Sequence, residues 1–187
     1  MSTLARRHFC CLALVILPVG ALNATSIPRL TFEQLIDGSD VIASGRVTQS
    51  WAAWDSEHKY IWTHYVLSVK GMARGTSASS VEFAEPGGTI GGASLSIAGT
   101  VTYQIGDNVV IFLWKMPNGY LRTAGWAQGK YQLDADGHLH SWAAIGGEID
   151  EGTHAQGSSL KTLEGMSVAE LYRRIADRLR TTSGRAK

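Results

Sequence analysis

Cysteine is nearly absent from this sequence. The 187 residues include only two, Cys10 and Cys11. Both lie within residues 1–24, a segment that we predict to be removed from the mature protein. A mature chain without a thiol excludes a disulfide scaffold, a cysteine nucleophile, and a zinc or iron–sulfur site with cysteine ligands.

The chain also lacks long hydrophobic runs. The apolar stretch from Phe9 to Leu17 is too short for a membrane span, which needs about 20 residues. It follows Arg6 and Arg7 and precedes small residues at positions 19–24, the layout of a secretory signal peptide. We predict cleavage near residues 21–24 and export to the periplasm or beyond. The strongly apolar core favours the Sec route, and the paired arginines leave the twin-arginine route open.

The predicted mature chain has no excess of positive or negative charge. Without Arg6 and Arg7, 15 Lys and Arg stand against 16 Asp and Glu, a formal charge of −1. Nucleic-acid binding needs a strong basic footprint, so we expect no nucleic-acid partner. No cofactor-binding motif is present either, and we predict no cofactor.

Proline is scarce, with 4 residues, whereas glycine is abundant, with 21. The glycines cluster between short alternating segments, which indicates a mostly β protein with many turns. We predict a single domain over residues 25–180 and a flexible tail over 181–187. The oligomeric state is left open.

The element order is a helix, a series of strands, and a second helix. Thr31 to Gln34 and Ser167 to Glu170 have the pattern of capping boxes, which predicts a helix start at each. The predicted strands cover residues 41–48, 59–70, 80–85, 109–114, 120–133 and 138–145. The simplest closed arrangement is an antiparallel OB-like barrel of five to six strands, flanked by a short N-terminal helix and an amphipathic C-terminal helix.

Three segments carry a resemblance to a known superfamily. Ser39 to Val47, Tyr65 to Gly71 and Gly106 to Leu113 resemble strands of netrin-like domains and tissue inhibitors of metalloproteinases. The resemblance covers roughly residues 31–133 and implies an OB-type barrel. Those inhibitors reach the protease zinc with an N-terminal cysteine, which the mature chain lacks. A cysteine-independent inhibitor of extracellular proteases therefore remains as an alternative function.

A group of aromatic residues gives the strongest indication of a binding site. Trp51, Trp54, Tyr60 and Trp62 flank the connection between the first two long strands. In an OB barrel that connection borders the ligand-binding face, where aromatic rings can contact a protein, a peptide or a glycan. The alternative is that these rings cover one end of the core.

Two histidines are candidate metal ligands. His138 and His140 lie two apart on a predicted strand and so share a face, where His58, His64 or Asp136 could complete a site. The alternative is a solvated pair beside a turn.

Catalytic patterns are not evident. The acidic residues are scattered, and no nucleophile elbow, HExxH or phosphate-loop motif is present. We therefore predict a non-catalytic binding module with no assigned catalytic residue. The remaining alternative is an uncharacterised hydrolase, in its metal-assisted form using His138 and His140.

Overall fold

The computed structural model describes residues 28–141 and 163–185 as mostly antiparallel β-structure with two helices. The predicted leader lies outside the described residues. The helices are α1 (Phe32–Asp37) and α2 (Val168–Arg185). The strands are β1 (Val41–Trp54), β2 (Ile61–Arg74), β3 (Ser80–Pro86), β4 (Gly88–Ile90), β5 (Ala93–Leu95), β6 (Asn108–Lys115), β7 (Leu121–Thr123), β8 (Lys130–Leu133) and β9 (Leu139–Ser141). A short 3-10 turn, Trp126–Gly129, separates β7 from β8.

Seven strands form one sheet in the order β3-β2-β1-β6-β8-β9, and β7 pairs with β6 beside β8. All of the pairings are antiparallel, and β4 and β5 form a separate hairpin. The mostly β, antiparallel prediction with a helix at each end is therefore confirmed. In the described residues the hydrogen-bonded sheet is open, so the closed barrel is not established by the strand pairing.

The strands β1 and β2 are longer than the sequence predicts, at 14 residues each. Their pairing continues to Trp54 opposite Ile61, which places Trp51 and Trp54 within a strand. Register shifts in the first half of β1 accompany this length, and bulges of this kind bend and twist a long strand. At one of them Gly45 packs so closely on β2 that a Cβ would lie 2.1 Å from the Ser68 carbonyl oxygen.

The first predicted capping box is confirmed. Thr31 Oγ1 accepts from the Gln34 amide at 3.1 Å, and Gln34 Oε1 accepts from the Thr31 amide at 2.8 Å. This exchange satisfies amides that a helix start leaves without intrahelical partners. At the other end of α1, Arg74 Nη1 donates to the Ile36 carbonyl at 2.6 Å.

Only one of the two hydrogen bonds of the predicted capping box is present at the start of α2. Ser167 Oγ accepts from the Glu170 amide at 3.3 Å, but the Glu170 carboxylate binds Arg173 and Arg174 instead. The helix continues to Arg185, into the segment predicted as a tail. The hydroxyls of Thr181, Thr182 and Ser183 donate to carbonyls four residues earlier, so they follow the helical backbone rather than competing with it.

Two hydrophobic cores lie on opposite faces of the sheet. One is covered by the helices and includes Phe32, Leu35, Ile36, Ile42, Val110, Phe112, Tyr131, Leu171 and Ile175. The other lies between the curved strands and includes Ala43, Val47, Tyr65, Leu67, Phe83, Tyr103, Val109, Ile111 and Leu113. Strand β6 contributes to both cores, as its nearly continuous apolar sequence indicates. Neither helix in the described ranges is long and apolar enough to cross a membrane.

Candidate functional site

The register of the β1–β2 hairpin divides the predicted aromatic group between two faces. Trp51 is opposite His64, and Ala53 is opposite Trp62. Because directly paired residues share a face and neighbours alternate, Trp51 and Trp62 lie on one side and Trp54 on the other. The four aromatic residues therefore do not form one continuous surface.

The Trp51 ring is held in place by its cross-strand neighbour. It stacks on the His64 imidazole, with ring centroids 5.2 Å apart and an interplanar angle of 13°. His64 is 8% exposed and Trp51 is 40% exposed, so a buried ring supports an exposed one. His64 Nδ1 lies 3.0 Å from Glu82 Oε1 on β3, which fixes the orientation of the imidazole.

Trp62 belongs to the interior rather than to a binding surface. It is 7% exposed, and its ring meets the edge of Tyr120 at 5.4 Å between centroids. Tyr120 also meets His64 edge-on at 5.2 Å. The Trp62 Nε1 atom is buried without a partner among the described residues, and nothing in the structure accounts for it. For Trp62 the alternative interpretation, a ring in the core, is the one that its burial supports.

Trp54 and Tyr60 lie at the tip of the hairpin. Trp54 is partly buried and stacks on His58, whose backbone is left-handed with φ of 56°. Tyr60 is 53% exposed and precedes β2. The Asp55 amide donates to the Tyr60 carbonyl at 2.9 Å, which extends the hairpin pairing, and strand alternation then places Tyr60 on the side of Trp62.

The predicted histidine pair is held by carboxylates. His140 Nε2 lies 3.1 Å from Asp134 Oδ2, and its Nδ1 lies 2.8 Å from Glu164 Oε1. These two hydrogen bonds raise the pKa of His140 above its ordinary value. The His138 and Asp136 amides and the His140 ring donate to Asp134, which lowers the pKa of Asp134 to about 2.

Two of the candidate third ligands are not brought to this pair. His58 and His64 lie on the β1–β2 hairpin, in contact with Trp54 and Trp51. Within residues 28–141 and 163–185, no group of three or more His, Cys, Asp or Glu side chains is arranged to hold a metal ion. The arrangement of His140 between Asp134 and Glu164 instead ties β9 to the segment that precedes α2.

Sequence reasoning missed a buried ion pair between β3 and β7. Glu85 is 1% exposed; its Oε1 accepts from the Thr123 amide at 2.8 Å, and its Oε2 accepts from Arg122 Nε at 3.2 Å. Burial raises the pKa of Glu85, because lost hydration outweighs the opposing effects of Thr123 and Arg122. Strand alternation from Val81 and Phe83 already places Glu85 on the inward face, a signal that could have identified it.

We compared the chain with models of protein families, with curated proteins and with solved structures, and no match was found.

Proposed function

We propose that this protein is an exported, non-catalytic binding module that contacts a protein partner through Trp51 and Tyr60. The observation that carries the proposal is the Trp51–His64 stack, which holds a 40% exposed indole against a buried imidazole. A ring that is already fixed loses little conformational entropy on binding, and exposed Trp and Tyr are frequent energetic centres of protein interfaces.

Charged side chains lie near both aromatic rings. The Glu82 side chain is 58% exposed beside His64, and Lys59 pairs with Glu57 at 2.6 Å next to Tyr60, both side chains 66% exposed. An aromatic centre with a polar rim is the usual anatomy of a non-obligate protein interface. This rim favours a protein over a glycan as the partner.

The strand path supports the further proposal of an OB-like barrel. The path β3-β2-β1-β6-β7 brings β7 to β3, where the Glu85 carboxylate binds the Thr123 amide and Arg122. A side chain thus spans the gap that a backbone ladder would fill in a closed barrel. The resemblance to netrin-like domains also remains a proposal, supported by the same strand path.

Export is proposed from the leader at residues 1–24. Its test is mass spectrometry of the protein recovered from the periplasm or the medium of an expressing bacterium. The expected first residue lies between 22 and 25. The proposal would be contradicted if the exported protein retained Met1. It would also be contradicted if the protein were absent from both the periplasm and the medium.

The partner site is tested with immobilised protein and an extract of the exported compartment. Trp51→Ala/Tyr60→Ala is compared with wild type and with Ile105→Ala. Ile105 is the matched control, because it is 65% exposed and lies in the turn whose Gly106 amide donates to Val47, away from the hairpin tip. A captured protein is then purified and titrated against each variant.

We expect the double variant to bind at least about tenfold more weakly, since two aromatic contacts are lost, and Ile105→Ala to bind like wild type. Equal affinities for all three proteins, each with native circular dichroism, would reject the aromatic site. A glycan that competes for wild type and not for the double variant would replace the protein partner by a carbohydrate.

A further inference from the structure

A second feature, separate from the hairpin, has the construction of a small-molecule site. A cleft of about 300 Å³ lies between the chain segment 28–30 and strands β6 and β7. Its lining includes Pro28, Leu30, Trp114 and Trp126, together with Arg122. Trp114 and Arg122 are directly paired across β6 and β7, so both side chains project from the same face.

The walls of this cleft are fixed by one buried amide. Gln128 is 2% exposed; its Oε1 accepts from the Leu30 amide at 2.8 Å, and its Nε2 donates to the Pro28 carbonyl at 3.0 Å and to the Gly125 carbonyl at 3.1 Å. These bonds join the segment 28–30 to the 3-10 turn. The cleft is therefore formed before any ligand arrives, which lowers the entropy cost of binding.

Two residues that line the cleft have a left-handed backbone conformation. Trp126 has a left-handed φ of 57°, which is unfavourable for a bulky residue. Gly125, also left-handed, packs so closely that a Cβ would lie 2.5 Å from Leu30 Cδ1. This conformation places the Trp126 ring centroid 4.1 Å from Arg122 Cζ. Backbone strain of this kind is concentrated at binding and catalytic sites.

One nitrogen of the Arg122 side chain has no acceptor. This side chain is 13% exposed, and Nε donates to Glu85 Oε2. Its Nη2 is buried with no hydrogen-bond partner in the part of the chain that the structure describes. A buried charged donor that lacks an acceptor is costly, so an oxygen ligand that reached this guanidinium would satisfy a donor that is otherwise unmet.

We propose that this cleft binds a small organic carboxylate, with its carboxylate on the Arg122 guanidinium and its apolar body between Trp114 and Trp126. The planar guanidinium matches a carboxylate in geometry. The indole rings offer apolar surface, which favours a flat apolar group. Glu85 already offsets the charge of Arg122, so a monoanion suits the site better than a dianion such as hydrogen phosphate.

The sequence printed immediately before the cleft carries no side-chain carboxylate. Residues 1–27, which lead directly to Pro28, contain no Asp or Glu. The acceptor is therefore expected from a ligand rather than from that neighbouring segment.

The experiment titrates the full mature chain with benzoate, benzamide and inorganic phosphate by calorimetry, and follows the indole N–H signals of Trp114 and Trp126 by NMR. Trp114→Phe and Trp126→Phe assign the two signals. We expect benzoate to bind and shift both indole signals, and benzamide and phosphate to bind at least about tenfold more weakly, because each lacks either the charge or the apolar body.

Variants separate a binding role from a structural one. Arg122→Met leaves Glu85 buried and unpaired, so the pair is replaced together as Glu85→Gln/Arg122→Met. We expect this protein to bind benzoate at least about tenfold more weakly, whereas Arg46→Met, which removes an exposed arginine on β1, binds like wild type. Glu85→Gln alone is expected to bind benzoate more tightly, since the ligand no longer competes with a buried carboxylate.

Three results would overturn the proposal. One is no benzoate binding by wild type. Another is equal benzoate affinity for wild type and the Glu85→Gln/Arg122→Met protein. The third is phosphate binding as tight as that of benzoate, which would remove the requirement for an apolar body. Because Trp51 and Tyr60 lie outside the cleft, none of these results bears on the proposed partner surface.

Discussion

The Tyr172 hydroxyl on α2 donates a hydrogen bond to Ser44 Oγ on β1 at 2.8 Å. The two residues are 128 positions apart, so this bond joins the C-terminal helix to the first strand. Both side chains are largely covered, and the apolar residues Leu171 and Ile175 bury the same helix against the sheet. The bond therefore adds a directional contact to a helix that is otherwise held by packing.

We expect Tyr172→Phe to lower the free energy of unfolding by about 1 kcal/mol, the usual contribution of such a bond. Ser44→Ala should have a similar effect. The double variant should lose little more than either single one, because both substitutions remove the same interaction. Urea denaturation of the four proteins measures this, and fully additive losses would show that the two hydroxyls contribute independently.

The buried Glu85 carboxyl group should make the stability of the protein depend on pH. Its pKa is raised above the ordinary value of 4.5 in the folded protein. The stabilisation linked to its protonated form is therefore fully present below the ordinary pKa and is lost as the pH rises through the folded pKa. Glu85→Gln keeps an acceptor for the Thr123 amide but does not titrate.

We therefore expect the stability difference, wild type minus Glu85→Gln, to decrease as the pH rises from 4 to neutral. Denaturant titrations of both proteins at matched pH values measure it. A difference that stays constant, or grows with pH, would contradict the raised pKa.

The lowered pKa of Asp134 leads us to expect the opposite pH dependence of stability, in the acidic range. Its pKa is lowered from 3.8 to about 2, so its contribution is present above 3.8 and is lost as the pH falls towards 2. Asp134→Asn should abolish that loss and should also lower the pKa of His140, which is raised first by Asp134 and then by Glu164.

NMR titration of the His140 ring protons measures this shift. Asp136→Asn is the matched control, since Asp136 lies in the same turn and its amide, rather than its carboxylate, contacts Asp134. An unchanged pKa for His140 in Asp134→Asn would show that Asp134 does not stabilise the protonated imidazole of His140.

The two tryptophans on one face of the hairpin should respond differently to truncation. Trp62→Ala should lower the free energy of unfolding by about 3–5 kcal/mol, because it empties a buried site. Trp51→Ala should lower it by about 1–2 kcal/mol, since 40% of that residue is already exposed. Thermal and urea denaturation compare them, and equal losses would contradict their assignment to core and surface.

Local features of the fold were predictable from the sequence. The box at Thr31 needs only residues within one helical turn, and the double burial of β6 follows from its continuous apolar run. The turn after Met116 was also predictable, because Asn118 and Gly119 favour a tight reversal and the structure closes it with a Met116 amide to Tyr120 carbonyl bond.

The composition of the candidate site was not predictable in the same way. Whether Trp51 and Trp54 share a face depends on how far β1 extends and where its bulges fall, which pairing with β2 decides. The contact between Glu85 and Arg122 depends on β3 and β7 meeting across 37 residues of chain. Neither relationship leaves a local pattern, so strand alternation alone could place Glu85 inward but not identify its partner.

The position of β1 and β6 in both cores has a consequence for how the protein opens. Ile42 and Phe112 pack under the helices, whereas Ala43 and Ile111 face the other core. Detaching α1 and α2 would expose only one face of these strands and leave their mutual ladder intact. Their amide protons should therefore exchange with solvent only through global unfolding, which makes β1 and β6 the slowest-exchanging part of the sheet.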